Sequence, residues 1–316
     1  MIRQAPLVAI VGPTAVGKTA LSLVLADALD GEIVSADSRQ VYVGMDIGTA
    51  KSSPETRARV PHHLLDVVTP DQVLSVAEFQ AMAYAAIELI HARQHLPLLV
   101  GGSGQYVRAV LEGWTVPAVA PDWALRTTLA AEAEADGPLA LHARLAGLDA
   151  VAAARIDARN VRRVIRALEV CLTTGQPISR LQERHPPPYR VLQVGLTLPA
   201  EVHYRQIDAR IVAMLDDGLV AEEQALLERG YTSDLPAMTG LGYREIVRYL
   251  RGEETLTEAV GDLQRATRRF VRQQRNWFRS GDERIRWFQA QPDPAAVVLT
   301  MVRDWLNAPT SGPVIE

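Results

Sequence analysis

The residues from Gly12 to Thr19, GPTAVGKT, follow the spacing G-x-x-x-x-G-K-[ST] of a loop that holds phosphate groups. An apolar run at Val8–Val11, typical of a buried parallel strand, precedes them, and apolar residues at helical spacing follow. Backbone amides in such a loop surround phosphate oxygens, Lys18 adds a compact positive charge, and the Thr19 hydroxyl can hold Mg²⁺. The pattern predicts phosphate binding without distinguishing nucleotide hydrolysis, phosphoryl transfer and departure of pyrophosphate. The predicted phosphate-binding residues are Gly12, Thr14, Ala15, Val16, Gly17, Lys18 and Thr19.

Two polar residues come directly after later strands. Asp37 follows a predicted strand at 32–36, and Ser103 follows another at 98–100. The carboxyl ends of parallel strands meet at the edge where open α/β sheets bind ligands, so we expect both side chains near the phosphate-binding loop. Asp37 is either a general base or a turn residue that bonds its own backbone. Ser103 is either a ligand contact or a helix cap, and the spacing leaves both alternatives open.

The strand before Ser103 lacks an acidic residue at its end. Its sequence is LPLLVGGSG, whereas a nucleotide hydrolase usually places an Asp for Mg²⁺ at this position. The glycines argue against nucleotide hydrolysis. A kinase stays possible, because Asp37 could deprotonate an acceptor hydroxyl.

Arginine is concentrated in two clusters, although the net charge of −4 by itself argues against a nucleic-acid partner. Arg162, Arg163 and Arg166 share one face of a helix predicted to open near Asn160. A solvated, salt-bridged face is the alternative for both clusters, but few acidic residues interleave, which favours binding of a polyanion. The second cluster comprises Arg265, Arg268, Arg269, Arg272, Arg275 and Arg279.

The order of predicted elements indicates an α/β fold, with a P-loop NTPase-like parallel sheet flanked by helices and an all-helical insertion. Strands and helices alternate up to about residue 117, after which only helical patterns follow until strand character returns at 191–198. The proline-bearing segments TVPAVAPD and HPPPYR bracket the helical block. We predict the first part of the core at 1–117, a helical insertion at 118–187 and the second part of the core, with C-terminal helices, at 188–316.

Composition excludes several other classes of protein. A single cysteine, Cys171, rules out disulfides and a cysteine zinc site. The adjacent His62 and His63 have no evident third ligand, so we interpret them as structural. The chain has no signal-peptide pattern at its N-terminus and no apolar run near 18 residues, so we expect a cytoplasmic protein that does not enter a membrane.

Several motifs, in order, resemble the bacterial tRNA dimethylallyltransferases over about residues 7–290: GPTAVGKT, SADSRQVYVGMDIGTAK, PHHLLDV, LLVGGSGQY, RRVIRALEV and GLGYREI. The resemblance implies transfer of a dimethylallyl group from dimethylallyl diphosphate to the exocyclic amine of the adenine just 3′ of the anticodon in certain tRNAs, with release of pyrophosphate. It implies Mg²⁺ as cofactor, the anticodon stem-loop as partner and a monomeric enzyme. Three alternatives are a small-molecule kinase, an enzyme that prenylates free adenylates and a non-catalytic RNA-binding module.

The resemblance also implies residue roles. Asp37 matches the general base, and Ser103 stands where the family commonly has Thr, so both are catalytic candidates. Arg210 matches an arginine that assists the phosphate-binding loop with the diphosphate. Two departures weaken single contacts: Thr239 replaces a basic residue of some members, and Gln105 replaces an apolar one. The implied tRNA contacts are Asp37, Ser38, Arg39, Gln40, Ser103, Arg126, Arg162, Arg163, Arg166, Gly242, Tyr243, Arg272, Arg275 and Arg279.

Overall fold

The structure, a computed structural model, describes residues 4–117 and 119–309. Within it the chain divides into two compact units. One comprises the segment that ends at Leu111 together with the segment that begins at Pro188, and the other is Glu112–Pro187. The predicted first residue of the insertion, Ala118, lies outside the described residues.

Six parallel strands form one sheet in the first unit, in the order β3-β2-β4-β1-β5-β6. The central strand β1 pairs on one side with β4, Val8 opposite Leu98, and on the other with β5, Val8 opposite Leu192. The α/β fold with a parallel sheet is thus confirmed, whereas the two-residue β3 was not predicted from sequence. The strands are β1 (Ala5–Val11), β2 (Gly31–Ser35), β3 (His62–His63), β4 (Leu96–Gly101), β5 (Tyr189–Thr197) and β6 (Ile285–Gln289).

The described helices of the first unit flank this sheet, whereas those of the second unit pack on one another. The helices are α1 (Lys18–Leu29), α2 (Pro54–Arg59), α3 (Val76–Ala92), α4 (Gly104–Glu112), α5 (Trp123–Ala135), α6 (Pro138–Leu148), α7 (Ala150–Arg155), α8 (Val161–Thr174), α9 (Ile178–Leu181), α10 (Ala200–Asp216), α11 (Leu219–Glu228), α12 (Tyr243–Leu250), α13 (Leu256–Arg275) and α14 (Ala295–Asn307). Helices α5 to α9 belong to the second unit.

Strand β1 buries side chains on both faces of the sheet. Leu7 and Val11 pack into one apolar cluster, and Val8 and Ile10 pack into another. A strand that is buried on both sides needs a continuous apolar sequence, which is why APLVAIV shows no polar alternation. Because its carboxyl end runs directly into the phosphate-binding loop, this rigid strand fixes the position of the loop.

A capping box opens α3. The Ser75 hydroxyl accepts a hydrogen bond from the N–H of Glu78, and the Glu78 carboxylate accepts one from the N–H of Ser75 at 2.8 Å. These bonds satisfy two backbone donors that a helix N-terminus otherwise leaves open. The apolar face of α3 then buries Phe79, Ile87 and Ile90 against the sheet.

The second unit has its own helical core, which includes Leu129, Leu145 and Leu168. It begins at Glu112, six residues before the predicted start at 118, while its end at Pro187 agrees with the prediction. The earlier start has a physical reason: the chain entering the unit pairs with the chain leaving it. The N–H of Thr115 donates to the carbonyl of Glu183 at 2.9 Å, beside an antiparallel bridge between Trp114 and Arg184.

No helix within residues 4–117 and 119–309 combines the length and the apolar character needed to cross a lipid bilayer.

Candidate active site

The phosphate-binding loop connects β1 to the N-terminus of α1 in the way that the motif predicts. Ala15 and Gly17 have φ angles of 59° and 98°, left-handed values that turn the backbone sharply before Lys18 begins the helix. The ammonium of Lys18 folds back and donates to the carbonyl of Pro13 at 2.7 Å. Thr19 is exposed in the first turn of α1. The loop therefore combines a helix N-terminus, an ammonium and a hydroxyl in one place.

Two buried side chains form hydrogen bonds to the backbone of this loop, and neither was identified from the sequence. The N–H of Thr14 donates to Oε1 of Gln274 at 2.8 Å, and the carbonyl of Thr14 accepts a hydrogen bond from Nε2 of His203 at 2.8 Å. His203 is fully buried and Gln274 nearly so. Both flanking helices, α10 and α13, thus reach the backbone of the loop.

Asp37 lies just beyond β2 and is half-buried. Its Oδ1 accepts a hydrogen bond from the N–H of Arg39 at 2.9 Å, so the turn role considered from the sequence is present. None of the described residues bonds its other oxygen. One carboxylate can thus hold its turn with one oxygen and accept a proton with the other.

Three charged groups act on one another at this edge of the sheet. Burial lowers the pKa of Lys18 to about 8, an effect that the negative charge of Asp37 opposes and the positive charge of Arg210 reinforces. Burial likewise lowers the pKa of the Arg210 guanidinium, against the opposing charge of Asp37. Among the described residues Arg210 has no ion pair. Two cations and one carboxylate therefore converge beside the loop, with net positive charge available for an anion.

Ser103, which follows β4, is hydrogen-bonded to the segment that follows β2. Its hydroxyl accepts a hydrogen bond from the N–H of Ser38 at 2.9 Å and donates one to the Ser38 hydroxyl at 3.1 Å. Its own N–H donates to the carbonyl of Ala36 at 3.3 Å. The serine side chain is thus bonded to the segment that carries Asp37, which places its hydroxyl beside the candidate base.

The absence of an acid at the end of β4 has a steric cause. A Cβ atom on Gly101 would lie 2.1 Å from the carbonyl oxygen of Ala36, which is far inside contact distance. The ends of β2 and β4 approach so closely that only glycine fits. An aspartate that holds Mg²⁺ cannot occupy this position, as the sequence GGSG already indicated.

The side chains of Arg39 and Gln40, both predicted to contact tRNA, form hydrogen bonds within the protein. Arg39 donates to the carbonyl of Pro236 at 2.8 Å. Oε1 of Gln40 accepts from the Ser35 hydroxyl at 2.9 Å, and its Nε2 donates to the carbonyls of Thr49 and Ala50. The amide of Gln40 thus holds the following turn, and its contact with tRNA stays a prediction.

Gly242 and Tyr243 were also predicted to contact tRNA, yet both are buried, Tyr243 with 1 % of its surface exposed. The Tyr243 hydroxyl donates to Glu222 at 2.7 Å, and Glu222 accepts the backbone N–H groups of residues 46–48. The N–H of Gly242 donates to Glu245 at 2.9 Å. Tyr243 and Glu222 thus fix the 46–48 segment in place, and the contact of Gly242 and Tyr243 with tRNA stays a prediction.

Lys51 stabilises the same region from the other side. Its buried ammonium donates to the carbonyl of Tyr42 at 2.6 Å and pairs with Asp46 and Asp66 at 2.7 and 2.5 Å. Its partners assign it to the turn, not to a ligand.

In the second unit, Arg126 and Arg166 both donate hydrogen bonds to one buried carboxylate. Arg126 binds Glu169 through two hydrogen bonds of 2.8 Å, and Arg166 donates to the same carboxylate at 2.6 Å. Burial alone would raise the pKa of Glu169, but these bonds and the N–H of Asp122 outweigh it and lower the pKa to about 2. Both arginines thus have a structural role, and their contact with tRNA stays a prediction. Arg162 and Arg163, by contrast, are exposed.

Replacing Arg126 by Gln is expected to lower the free energy of unfolding by about 3 kcal/mol, because the buried charge of Glu169 loses its bidentate partner. The pKa of Glu169 lies below its ordinary value, so the stabilisation is complete above about pH 4.5 and is lost as the pH falls toward 2. Urea titrations at neutral and acid pH measure both effects.

The matched control is Arg162→Gln, an exposed arginine on the same helix as Glu169, which should change stability by less than about 0.5 kcal/mol. Equal stability losses in the two variants would contradict the structural assignment of Arg126.

The arginines on and after α13 fall into two groups. Arg265 pairs with Asp262, and Arg268 pairs with Asp208 at 2.5 Å, so two of the six predicted phosphate contacts are neutralised within the protein. The expectation that acidic residues are too few to compensate this cluster was therefore wrong for these two. Arg272 donates a hydrogen bond to the Tyr204 hydroxyl at 3.3 Å. The four exposed arginines for which the described residues supply no acidic partner are Arg269, Arg272, Arg275 and Arg279, which we call the α13 arginine stripe.

No group of three or more histidine, cysteine or acidic side chains within residues 4–117 and 119–309 could hold a metal ion. His63 instead bonds the buried Glu32 at 2.6 Å, and His62 contacts the carbonyl of Val60 at 2.7 Å. These contacts agree with the interpretation of both histidines as structural. Cys171 is buried and free.

The fold and this site define a P-loop protein whose loop is flanked by a carboxylate and two cations, with no acid at the end of β4. The sequence profile of the IPP transferase family matches residues 40–281. A tRNA dimethylallyltransferase of Roseiflexus sp. is 53 % identical over 303 residues, covering 96 % of this chain and 99 % of the relative. That of Roseiflexus castenholzii is 60 % identical over 274 residues, or 87 % and 90 % of the two chains.

Solved structures agree with this match. The crystal structure of the tRNA isopentenylpyrophosphate transferase of Bacillus halodurans is 41 % identical, covers 96 % of this chain and 97 % of its own, and has a TM-score of 0.71. A eukaryotic dimethylallyltransferase acting on tRNA, 22 % identical over 98 % of this chain and 81 % of its own, shares the fold with a TM-score of 0.79. The chain belongs to the tRNA dimethylallyltransferase (IPP transferase) family, which confirms the resemblance stated from the motifs.

Proposed function

We propose that this protein transfers a dimethylallyl group from dimethylallyl diphosphate to the exocyclic amine of the adenine just 3′ of the anticodon in certain tRNAs. The observation that carries the proposal is the convergence of Asp37, Lys18 and Arg210 beside the phosphate-binding loop. The loop can grip a diphosphate, and the carboxylate can accept a proton from a nucleophile. The glycine at the end of β4 removes the acid that nucleotide hydrolysis usually needs.

In the proposed reaction the adenine amine attacks the first carbon of the dimethylallyl group, and the bond from that carbon to the diphosphate oxygen breaks. Pyrophosphate leaves with the electron pair of the broken bond, and the amine proton passes to the unbonded oxygen of Asp37. An aromatic amine is a weak nucleophile, so a positioned base contributes about 10²–10⁴-fold to the rate. Lys18, Arg210 and the loop amides stabilise the charge that develops on the pyrophosphate.

Ser103 is proposed to position the reacting groups. Its hydroxyl is bonded to Ser38, one residue after Asp37, so it lies where an adenine presented to the base would pass. An adenine in an anticodon loop must leave the base stack to reach such a site. Ser38 and Ser103 are the small hydroxyl residues in position to contact it.

Mg²⁺ is proposed to bind together with the diphosphate. The Thr19 side chain is exposed in the first turn of α1, and a hydroxyl there suits a hard cation that keeps most of its ligands as water and phosphate oxygens. The described residues offer no all-protein metal site, which agrees with a cation that arrives with the donor. When bound, Mg²⁺ neutralises charge on the diphosphate.

The exposed arginines of each unit are proposed to contact the tRNA backbone. In the first unit these are residues of the α13 arginine stripe, and in the second unit Arg162 and Arg163 at the start of α8. Arginines without an internal carboxylate partner are free to bind phosphates, and RNA loops are recognised largely through backbone contacts and unstacked bases. We also propose a cytoplasmic location, because the acceptor is tRNA, whereas the monomeric state stays a prediction.

The double replacement of Arg272 and Arg275 by Gln is expected to flatten the salt dependence of tRNA binding. Each contact to single-stranded RNA contributes roughly −0.7 to the slope of log K against log salt, so losing two contacts removes about 1.4. The Michaelis constant for tRNA should rise, and that for the donor should change little. Fluorescence titrations of an anticodon stem-loop at several salt concentrations measure the slope.

Arg268→Gln is the matched control on the same helix, because Asp208 already neutralises this arginine. It should lower the melting temperature and leave the salt slope unchanged. If the double variant keeps the wild-type slope and only melts earlier, the stripe serves structure and not RNA binding.

The acceptor is tested by comparing an unmodified anticodon stem-loop, the same stem-loop with guanosine in place of the target adenosine, and free AMP. Labelled dimethylallyl diphosphate should modify only the first. Modification of AMP at a comparable rate would favour the adenylate-prenylating alternative, and binding of the stem-loop without any transfer would favour the non-catalytic RNA-binding module.

A further inference from the structure

Gln274 occupies a position between the phosphate-binding loop and the α13 arginine stripe. Its side chain is 4 % exposed and makes two hydrogen bonds across elements far apart in sequence. Oε1 accepts from the N–H of Thr14 at 2.8 Å, and Nε2 donates to the carbonyl of Gly102 at 2.9 Å. One amide thus connects the loop after β1, the end of β4 and helix α13.

The same helix presents the arginine stripe to solvent on its other side. Val271 and Gln274 are buried, whereas Arg272 and Arg275, their direct neighbours in sequence, are exposed. Ala15 of the loop packs against the apolar cluster that contains Val271. A shift of α13 that accompanies RNA binding therefore cannot leave the loop unaffected.

Electrostatic contact supports the same connection. Burial lowers the pKa of His203, which holds the carbonyl of Thr14, and the positive charges of Arg275 and Lys18 add to that effect against the opposing bond to Thr14. The guanidinium of Arg275 is therefore close enough to the loop for its charge to act there. A phosphate bound by Arg275 changes the field at the diphosphate site.

We propose that Gln274 is a positioning residue that couples tRNA binding on α13 to diphosphate binding in the phosphate-binding loop. This inference rests on the proposed function and deepens it. With the amide in place, RNA on the stripe and diphosphate in the loop each hold α13 and the loop in one arrangement, so each ligand strengthens binding of the other. Such coupling is reciprocal and is typically worth about 5–150-fold in affinity.

The packing around Gly102 offers an independent way to break the connection. A Cβ on Gly102 would lie 2.5 Å from Nε2 of Gln274, at the tip of that side chain, so Gly102→Ala must displace the amide. Gln274→Leu removes both hydrogen bonds while keeping similar bulk. Gln273→Leu, an exposed neighbour on the same helix, is the matched control.

The test measures the affinity of an anticodon stem-loop with and without inorganic pyrophosphate and Mg²⁺, at equilibrium, so that no turnover is needed. We expect pyrophosphate to tighten stem-loop binding severalfold in the wild type and in Gln273→Leu. In Gln274→Leu and in Gly102→Ala, the ratio of the stem-loop dissociation constants without and with pyrophosphate should fall close to one. The Michaelis constant for dimethylallyl diphosphate should rise roughly tenfold in both, with a smaller change in kcat.

The proposal is overturned if pyrophosphate tightens stem-loop binding as much in both variants as in the wild type. It is also overturned if pyrophosphate has no effect on RNA affinity in the wild type. A lowered melting temperature with unchanged coupling would assign Gln274 to stability alone. Failure of the proposed function is recognised separately, because a wild type that shows coupling but never prenylates the stem-loop would refute the transfer reaction and leave the coupling intact.

Discussion

Replacement of Asp37 by Asn is expected to lower kcat for prenyl transfer by about 10²-fold or more, while the dissociation constant for tRNA stays close to that of the wild type. Asparagine keeps an oxygen that can accept the hydrogen bond from the N–H of Arg39, so the turn should persist. What it loses is the second oxygen, to which the described residues make no bond and which we propose accepts the amine proton. Single-turnover rates with saturating tRNA and donor measure the effect on chemistry directly.

Asp37→Ala separates the two roles of this residue. It removes both the turn hydrogen bond and the base, so it should be at least as slow as the asparagine variant and less stable. If Asp37→Asn turns over within a few-fold of the wild type while Asp37→Ala does not, Asp37 acts through its turn alone and the base lies elsewhere.

Replacement of Arg210 by Gln is expected to lower kcat/KM for the donor by about 10²–10³-fold, the usual effect of removing one group that stabilises transition-state charge. The guanidinium interacts with Lys18 and Asp37, and the described residues supply no ion pair to hold it. Its loss should therefore weaken the site for the leaving pyrophosphate and not the packing of α10. Steady-state kinetics with varied dimethylallyl diphosphate measure the change.

The pH dependence of kcat/KM for the donor provides a second test of the role of Arg210. The pKa of Lys18 in the free protein is about 8, and the charge of Arg210 contributes to keeping it low. In the wild type kcat/KM for the donor should fall as the pH rises through about 8, because Lys18 loses its charge. Removing Arg210 raises the pKa of Lys18, so this alkaline limb should move to higher pH.

Arg205→Gln is the matched control, an exposed arginine on the same helix. It should leave both the rate and the position of the alkaline limb unchanged. An Arg210→Gln variant with a wild-type pH profile would place Arg210 too far from Lys18 to share its site.

The sequence predicted the sheet and the phosphate-binding loop because both depend on local patterns. Val8–Val11 and 98–100 are apolar over lengths typical of strands, and the loop is defined by spacing within eight residues. Asp37 and Ser103 could be placed near one another because parallel strands bring their carboxyl ends to one edge. The bond from Ser103 to Ser38 agrees with that argument.

The partners of Arg126 and Arg268 could not be predicted in the same way, because they come from other elements. Arg126 bonds Glu169, which lies 43 residues away in sequence, and Arg268 bonds Asp208, which lies 60 residues away. A charge count along one helix cannot show such pairs. By contrast, Arg166 with Glu169 and Arg265 with Asp262 pair three residues apart on one helix, so these two pairs were open to prediction from the sequence. Gln274 was missed for a similar reason: in an Arg- and Gln-rich helix nothing marks one glutamine as buried.

The structural role of Tyr243 could not be predicted from its motif either. The resemblance placed a tRNA contact at GLGYREI, but the contacts of this tyrosine lie with Glu222 and with Gly48, whose added Cβ would lie 2.6 Å from the Tyr243 ring. Motif position alone cannot separate a residue that touches a ligand from one that supports the segment that does.

The most direct test of the proposed prenyl transfer is the stoichiometry of donor consumption. The protein is incubated with unmodified tRNA, labelled dimethylallyl diphosphate and an equal concentration of labelled ATP, with Mg²⁺. We predict one pyrophosphate released for each adenine prenylated next to the anticodon, and no phosphate released from ATP. Phosphate release from ATP that depends on tRNA and keeps pace with product, or transfer of a phosphoryl group in place of the prenyl group, would contradict the proposed reaction and restore the kinase alternative.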